Sequence, residues 1–384
     1  MRLLVITRHR LNENNGGANA SKGFVNCFAA LFDDCSLIYP EFSTPASYIP
    51  EKYKLYPCSD GRSKLRKGLD CYRGVLSPLS TFVKRHLSEH SYDVVVIDHS
   101  FIGASLVKEI KATSAKVITI HHNVERDYQH DNRKEYSLSF RLPYIYFAEK
   151  AERDCLCFSD LNLTVTSKDA STFCSWYPDK DIHVYRWGIY EYRPIMPKTF
   201  SKKSKGLNFI ITGSLHFYQS LLPIIEFIKR YWPLLHEAYP SATLTIAGRN
   251  PSETLQRECI GKEGIILIPN PDNMEDVVQQ ADYYICPINA GSGLKLRVMD
   301  GLRQGLPVLC HKISAYGYEA IADHNCLFAY DDEQTFMVSL RQMVSSSVPP
   351  TIVYQVFREN FSQETGIRRL SQILEQEKII FTIG

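Results

Sequence analysis

No apolar run in this 384-residue chain approaches the ~20 residues that a membrane-spanning helix needs. The apolar start, residues 1–7, is too short for a signal peptide and reads as a first strand. An excess of either charge is also missing. Lys plus Arg number 44 and Asp plus Glu 42, a formal net charge of +2, so no global field calls for nucleic acid or an acidic partner. The eleven cysteines form no CxxC pair, and their total is odd. In a chain of this length that pattern excludes a disulfide framework and points to reduced thiols in the cytosol. Cys155 and Cys157 stand close, but one CxC without clustered His or Cys makes a poor metal site. Internal repeats and low-complexity tracts are absent as well. The expectation is a soluble cytoplasmic protein, at most lying on a membrane surface.

What the chain does have is alternation. Apolar strand-like runs at 2–7, 35–39, 93–98, 116–121 and 161–165 are separated by helical stretches such as 18–32 and 140–158. The same order repeats at 208–212, 243–247, 265–268, 283–286 and 307–310. Continuous apolar strands between helices imply parallel sheets covered on both faces, and the length allows two cores. The reading is an α/β protein of two doubly wound, Rossmann-like domains, 1–195 and 206–365. They join in the Pro-, Lys- and Ser-rich stretch 192–206. Doubly wound sheets bind ligands beyond the carboxyl ends of their strands, so the cleft between the domains is the expected reaction site.

Stretch 289–309 is the most informative. Gly291, Ser292 and Gly293 form a turn that opens a helix, in which Leu294, Val298, Met299 and Leu302 recur at helical spacing. Gly305 ends the helix and Pro307 starts a strand. Helix N-termini gather partial positive charge and free N–H groups. Lys295 and Arg297 fall in or near the first turn, where a cation costs roughly 0.3–1 kcal/mol against the dipole. An anion docked there reverses the sign of that cost, which points to a diphosphate. On local physics alone, ordinary glycine capping with Arg297 paired to Asp300 accounts for the pattern equally well.

The run Leu294-Lys295-Leu296-Arg297-Val298-Met299-Asp300-Gly301, followed by Gly305-Leu306-Pro307-Val308-Leu309, resembles the nucleotide-sugar site of the retaining family 4 glycosyltransferases of GT-B fold. In that family the acidic residue at the position of Asp300 holds the donor ribose, a role suited to a carboxylate that accepts from two vicinal hydroxyls. After the strand 116–121, His121-His122-Asn123-Val124-Glu125 resembles the HNVE signature of one branch. The resemblance implies that His122 bonds the transferred sugar near its reacting carbon, with His121 as the fallback and Glu125 ordering the loop. Glu149, Glu152 and the run 160–167 fit the same branch.

Gly16 and Gly17 resemble the glycine pair of the family's first loop, which approaches the diphosphate or the acceptor. Gly213 and Ser214 resemble its phosphate loop, with Pro223 near the first turn of the next helix. Gly248, Arg249 and Pro251 resemble its G-x-x-P turn beside the nucleotide, where Arg249 either meets phosphate or base or is an exposed turn residue. Two departures stand out. Where many members place an Arg and a Lys after the phosphate loop, this chain has His216, Phe217, Tyr218 and Gln219, and Lys295 and Arg297 are the substitutes available. Ser292 stands where the first of two family glutamates is expected. The tract 52–86, with Lys52, Lys54, Arg62, Lys64, Arg66, Lys67, Arg73, Lys84 and Arg85, is either a solvated face or a patch for anionic lipid or a lipid-diphosphate acceptor.

The resemblance implies a GT-B enzyme with a C-terminal helix, 366–384, crossing back to the first domain. It implies retaining transfer of a hexose from a nucleoside diphosphate sugar to a hydroxyl of a glycan or lipid-linked acceptor, in surface polysaccharide synthesis. No cofactor, metal or nucleic-acid partner is expected, and peripheral membrane association is compatible. Two alternatives stay open: a non-catalytic GT-B subunit that binds a partner transferase, and a GT-B nucleotide-sugar epimerase.

Overall fold

The computed structural model describes residues 1–42, 48–102, 105–131, 138–193, 207–291, 293–346 and 348–380. The chain divides into two compact units, Met1–Pro194 with Ser362–Gly384, and Ile195–Phe361. Ser292 and most of the interdomain stretch lie outside the described residues.

The first unit is built on seven parallel strands: β1 (Arg2–Thr7), β2 (Asp34–Pro40), β3 (Tyr53–Cys58), β4 (Val94–Asp98), β5 (Lys116–His121), β6 (Leu161–Thr164) and β7 (Val184–Arg186). Their order is β3-β2-β1-β4-β5-β6-β7. Every residue of β4 is buried, as a strand packed on both faces requires. One core combines Leu4, Ile6, Val95, Ile97 and Val117 with Leu79, Val83 and Leu106. β3, β7 and, in the second unit, the strand Leu327–Tyr330 fall outside the strand-like runs of the sequence. β3 is an edge strand, exposed at Lys54 and Leu55 and carrying Pro57, so neither alternation nor a continuous apolar run marks it.

The second unit holds six parallel strands: β8 (Asn208–Ser214), β9 (Thr243–Arg249), β10 (Ile265–Pro269), β11 (Tyr283–Cys286), β12 (Val308–His311) and β13 (Leu327–Tyr330). Their order, β10-β9-β8-β11-β12-β13, repeats that of β3-β2-β1-β4-β5-β6 in the first sheet. Its core joins Phe209, Ile211, Leu244 and Ile246 to Phe227, Trp232, Phe336 and Leu340. Each sheet reverses its winding direction once, between β1 and β4 and between β8 and β11. Those switch points are where open α/β sheets leave a crevice for ligands.

The last helix, Gln363–Gln376, is capped by Ser362, whose hydroxyl accepts from Thr365 N–H at 3.2 Å. It packs on the helix Gly16–Leu31, and Trp187 Nε1 donates to Gly366 O at 3.0 Å. The carboxyl-terminal segment thus belongs to the core of the first unit.

Two local expectations are corrected. Gly16 and Gly17 do not precede a helix but begin it, because Asn15 is the cap and accepts from Ala18 N–H at 2.9 Å. Pro223 lies five residues past the start of its helix, Tyr218–Glu226, which has Phe217 as its cap. A single π turn, Phe227–Tyr231, follows it. Pro223 itself has no N–H to donate along the helix.

Candidate functional site

The carboxyl ends of β1, β4 and β5 stand side by side, since Thr7 pairs with Asp98 and Asp98 with Ile120. The residues that follow these ends make a histidine cluster. His122 Nε2 lies 2.6 Å from Asp98 Oδ1, with both side chains buried. The His9 ring centre is 5.1 Å from that of His122, and the His99 centre is 5.0 Å from it. Phe24 closes the group edge-on at 5.3 Å. Gly17 permits this packing, because a Cβ there falls 2.3 Å from His9 Cε1. His99 holds a backbone φ of +89°, rare for a side chain of its size, and its Nε2 faces Glu125 at 3.2 Å.

Burial, then the neighbouring His122, pushes His9 down to about 3, so it is neutral at physiological pH. Burial and the Arg8 charge push His99 well below its ordinary value too. Burial raises the Asp98 carboxyl, but the attraction and hydrogen bond of His122 outweigh it and hold the group below the usual carboxylate range. The result is a buried, hydrogen-bonded Asp98–His122 pair walled by the neutral rings of His9 and His99.

His121 does not join the cluster. Successive residues at a strand end face opposite sides, and His121 turns to the other face. There Nε2 meets Asn162 Oδ1 at 3.0 Å, and the ring packs on Phe173 at 4.8 Å. Burial lowers it to about 4, against the raising effect of Asn162. Glu125 starts the helix Glu125–Asp131, accepts from Gln129 at 2.8 Å, and donates its own N–H to Glu152 at 2.6 Å. Glu152, also buried, receives Arg126 N–H at 3.2 Å and so caps the HNVE loop.

In the second unit, β8 ends at Gly213 and Ser214, in register with Gly248 and Arg249. Gly213 has φ +151°, and a Cβ there lies 2.0 Å from Arg297 Nη2. The guanidinium therefore lies flat against the β8 loop. Arg297 Nη2 donates to Ser220 Oγ at 2.9 Å, while Nη1 is buried with no hydrogen-bond partner. The carrying helix is Leu296–Arg303, two residues shorter at its start than the periodicity predicts. Leu294 is buried ahead of it and Lys295 is its N-cap, since the left-handed Gly291 and Gly293 keep the preceding chain out of helical geometry. Lys295 Nζ bends back to Gly291 O at 2.9 Å. Asp300 sits exposed on the same helix, and Arg249 is exposed at the end of β9.

The structure thus brings Gly213, Ser220 and Arg297 together, and separately Gly17, His9, Asp98, His99 and His122. Neither His9, Asp98 nor His99 is singled out by motif. The signal available was position: each lies at or just past a strand end beside the switch point.

Each unit is a parallel doubly wound sheet with polar residues gathered at its switch point, the architecture of the GT-B fold. Residues 207–346 match the family model described as glycosyl transferases group 1. The whole chain is similar to solved structures of this fold. The lipopolysaccharide outer core galactosyltransferase WaaB aligns at TM-score 0.66 and 10% identity, over 98% of this chain and 100% of that one. TarM aligns at 0.65 and 10% identity, over 97% and 98%. HepE of Anabaena, in complex with UDP and glucose, aligns at 0.63 and 11% identity, over 97% and 99%. Among curated sequences, an uncharacterized 44.6 kDa protein in the cps region of Klebsiella pneumoniae is 23% identical over 240 residues. That match spans 59% of each chain.

Proposed function

We propose that this protein is a retaining glycosyltransferase that moves a hexose from a nucleoside diphosphate sugar to a hydroxyl of a glycan or lipid-linked acceptor in surface polysaccharide synthesis. The observation that carries the reading is the Arg297 guanidinium on the β8 loop, with Nη1 buried and without a partner. An unmatched buried cationic donor beside a glycine turn and a helix N-terminus calls for an anion. It stands in for the Arg and Lys that the loop after β8 lacks. Bound UDP in the similar HepE structure and the cps-region relative support the donor class and the pathway class.

In this reading the donor diphosphate meets Arg297, Lys295 and the N–H groups around Gly213 and Gly293, while Asp300 takes the ribose hydroxyls. His122 bonds the transferred sugar. Asp98 fixes its proton on Nε2 and leaves Nδ1 to the substrate. Charge leaving with the diphosphate is stabilised electrostatically, and no pair of catalytic carboxylates is required. The donor phosphate accepts the proton of the acceptor hydroxyl.

The test is a thermal-shift screen against UDP, GDP, ADP and their sugar conjugates, with wild type and Arg297→Ala. One nucleotide should raise the melting temperature by mass action, and the variant should bind it about 10- to 100-fold more weakly. A folded protein that answers to none of them rules this function out.

A further inference from the structure

A cavity of about 700 Å³ lies beyond the carboxyl ends of β1, β2 and β3, and nothing in the donor chemistry uses it. Arg8 and Arg10 enter it from the β1 loop, and Arg62, Lys64 and Lys67 from the segment after β3. Only Glu41 and Asp60 oppose these five cations in the lining. Asp60 is already committed, at 2.8 Å to Arg62 Nε and 3.2 Å to Lys67 Nζ. Those hydrogen bonds, foremost that of Arg62, hold its carboxyl down to about 2. Arg62 is further matched by Asp70 at 3.2 Å.

Arg8, Arg10 and Lys64 are different. None of them forms a side-chain ion pair among the described residues. The Arg8 guanidinium lies 4.5 Å from the centre of the Phe101 ring, which is also a wall of the cavity. Three cations without an ion-pair partner, against the single uncommitted carboxylate of Glu41, leave a net positive potential focused into the concavity. Val75, Leu76 and Leu79 give the remaining wall an apolar part, with Ser59 and Ser77 beside them. Arginine forks match the paired oxygens of phosphate and carboxylate. Arg8 also ties the cavity to the histidine cluster, because its charge acts on His9, His99 and Glu125.

We infer that this cavity binds an anionic group of the acceptor, a phosphate, diphosphate or sugar carboxylate, through Arg8, Arg10 and Lys64. The inference rests on the transferase reading for the word acceptor, but the binding site stands on its own geometry. The basic tract noted in the sequence then has a defined part, the segment of residues 62–67, that faces a ligand.

The experiment is calorimetric titration of the full chain, with and without saturating nucleotide. The probes are inorganic diphosphate, a short prenyl diphosphate-linked sugar, a glucuronate oligosaccharide and a neutral glucose oligosaccharide. Two double variants accompany wild type: Arg8→Gln with Arg10→Gln, and Arg10→Gln with Lys64→Gln. The second changes only exposed side chains, so its folding is secure. At least one anionic probe should bind, weaken with added salt, and lose tenfold or more in both variants, while the nucleotide Kd stays unchanged. Preference for the diphosphate-linked sugar identifies a phosphate source, and preference for glucuronate an acidic sugar. Equal binding of the anionic probes by wild type and variants, or neutral oligosaccharide binding as tightly as the charged ones, overturns the inference. Loss of nucleotide binding in wild type would instead strike the transferase reading and leave the anion titrations interpretable.

Discussion

The Asp98 carboxylate and His122 Nε2 meet at 2.6 Å with Asp98 wholly buried, so Asp98 is the neighbour that sets the His122 tautomer. Replacing it, Asp98→Asn, should lower the transfer rate by a factor on the order of 10² or more. It should also shift the pH profile of the rate and leave nucleotide affinity intact. Rate loss that only tracks a smaller folded fraction would reduce Asp98 to a packing residue. His121 carries a stability prediction instead. Its folded value of about 4 lies below the ordinary 6.5, so between those pH values the unfolded chain holds a proton that the native chain does not. Stability is therefore fully present above about pH 6.5 and falls as pH drops toward 4, by about 3 kcal/mol from this residue over the interval. Denaturant titrations at pH 7, 5.5 and 4.5 should show the decline, and His121→Phe should flatten it.

Among the elements, the helix Leu296–Arg303 carries Arg297, on which the proposed donor site rests. It buries Val298, Met299 and Leu302 and ends in a Schellman turn, with Leu306 N–H to Gly301 O at 3.1 Å and Gly305 N–H to Leu302 O at 3.0 Å. Gly301 sets its approach to the sheet, because a Cβ there comes within 2.8 Å of Tyr284 and of Val308. Gly301→Val should therefore push the helix off β11 and β12, at a cost of about 1–3 kcal/mol. Since Arg297 rides on the same helix, nucleotide affinity should fall with it. Unaltered affinity in a folded Gly301→Val protein would separate the helix from the donor site.

At the scale of the molecule, the chain builds its first unit from both ends. Leu370 and Leu374 are fully buried, and Tyr185 reaches Glu377 at 2.5 Å. Deleting residues 362–384 strips this cover from the helix Gly16–Leu31. Each fully buried leucine is worth ~1.5–3 kcal/mol, and the exposed partner face adds to the loss. Truncation should destabilise the first unit by about 5 kcal/mol or more, and scanning calorimetry should show its transition lost while that of Ile195–Phe361 persists. Among the described residues no helix is long and apolar enough to cross a membrane.

The strand–helix alternation, the parallel class of both sheets and the glycine-flanked helix Leu296–Arg303 were legible from the chain, because burial on two faces writes continuous apolar runs and helix ends write glycine. The edge strand β3 was not, since a strand paired on one side tolerates charge and proline. Motif pointed to His122 but could not separate it from His121; only the strand's facing, fixed by the sheet register, sent one to Asp98 and the other to Asn162. Arg297 was legible as a cation near a helix start, yet its place on the β8 loop joins residues 84 positions apart and is set by the order of strands. The same holds for Arg8, Arg10 and Lys64, scattered in a nearly neutral chain and gathered at the ends of β1 to β3. Local pattern determined the elements, because it reflects burial along one segment. Packing between distant segments decided which charges face one another, and that arrangement leaves no trace in any single stretch of sequence.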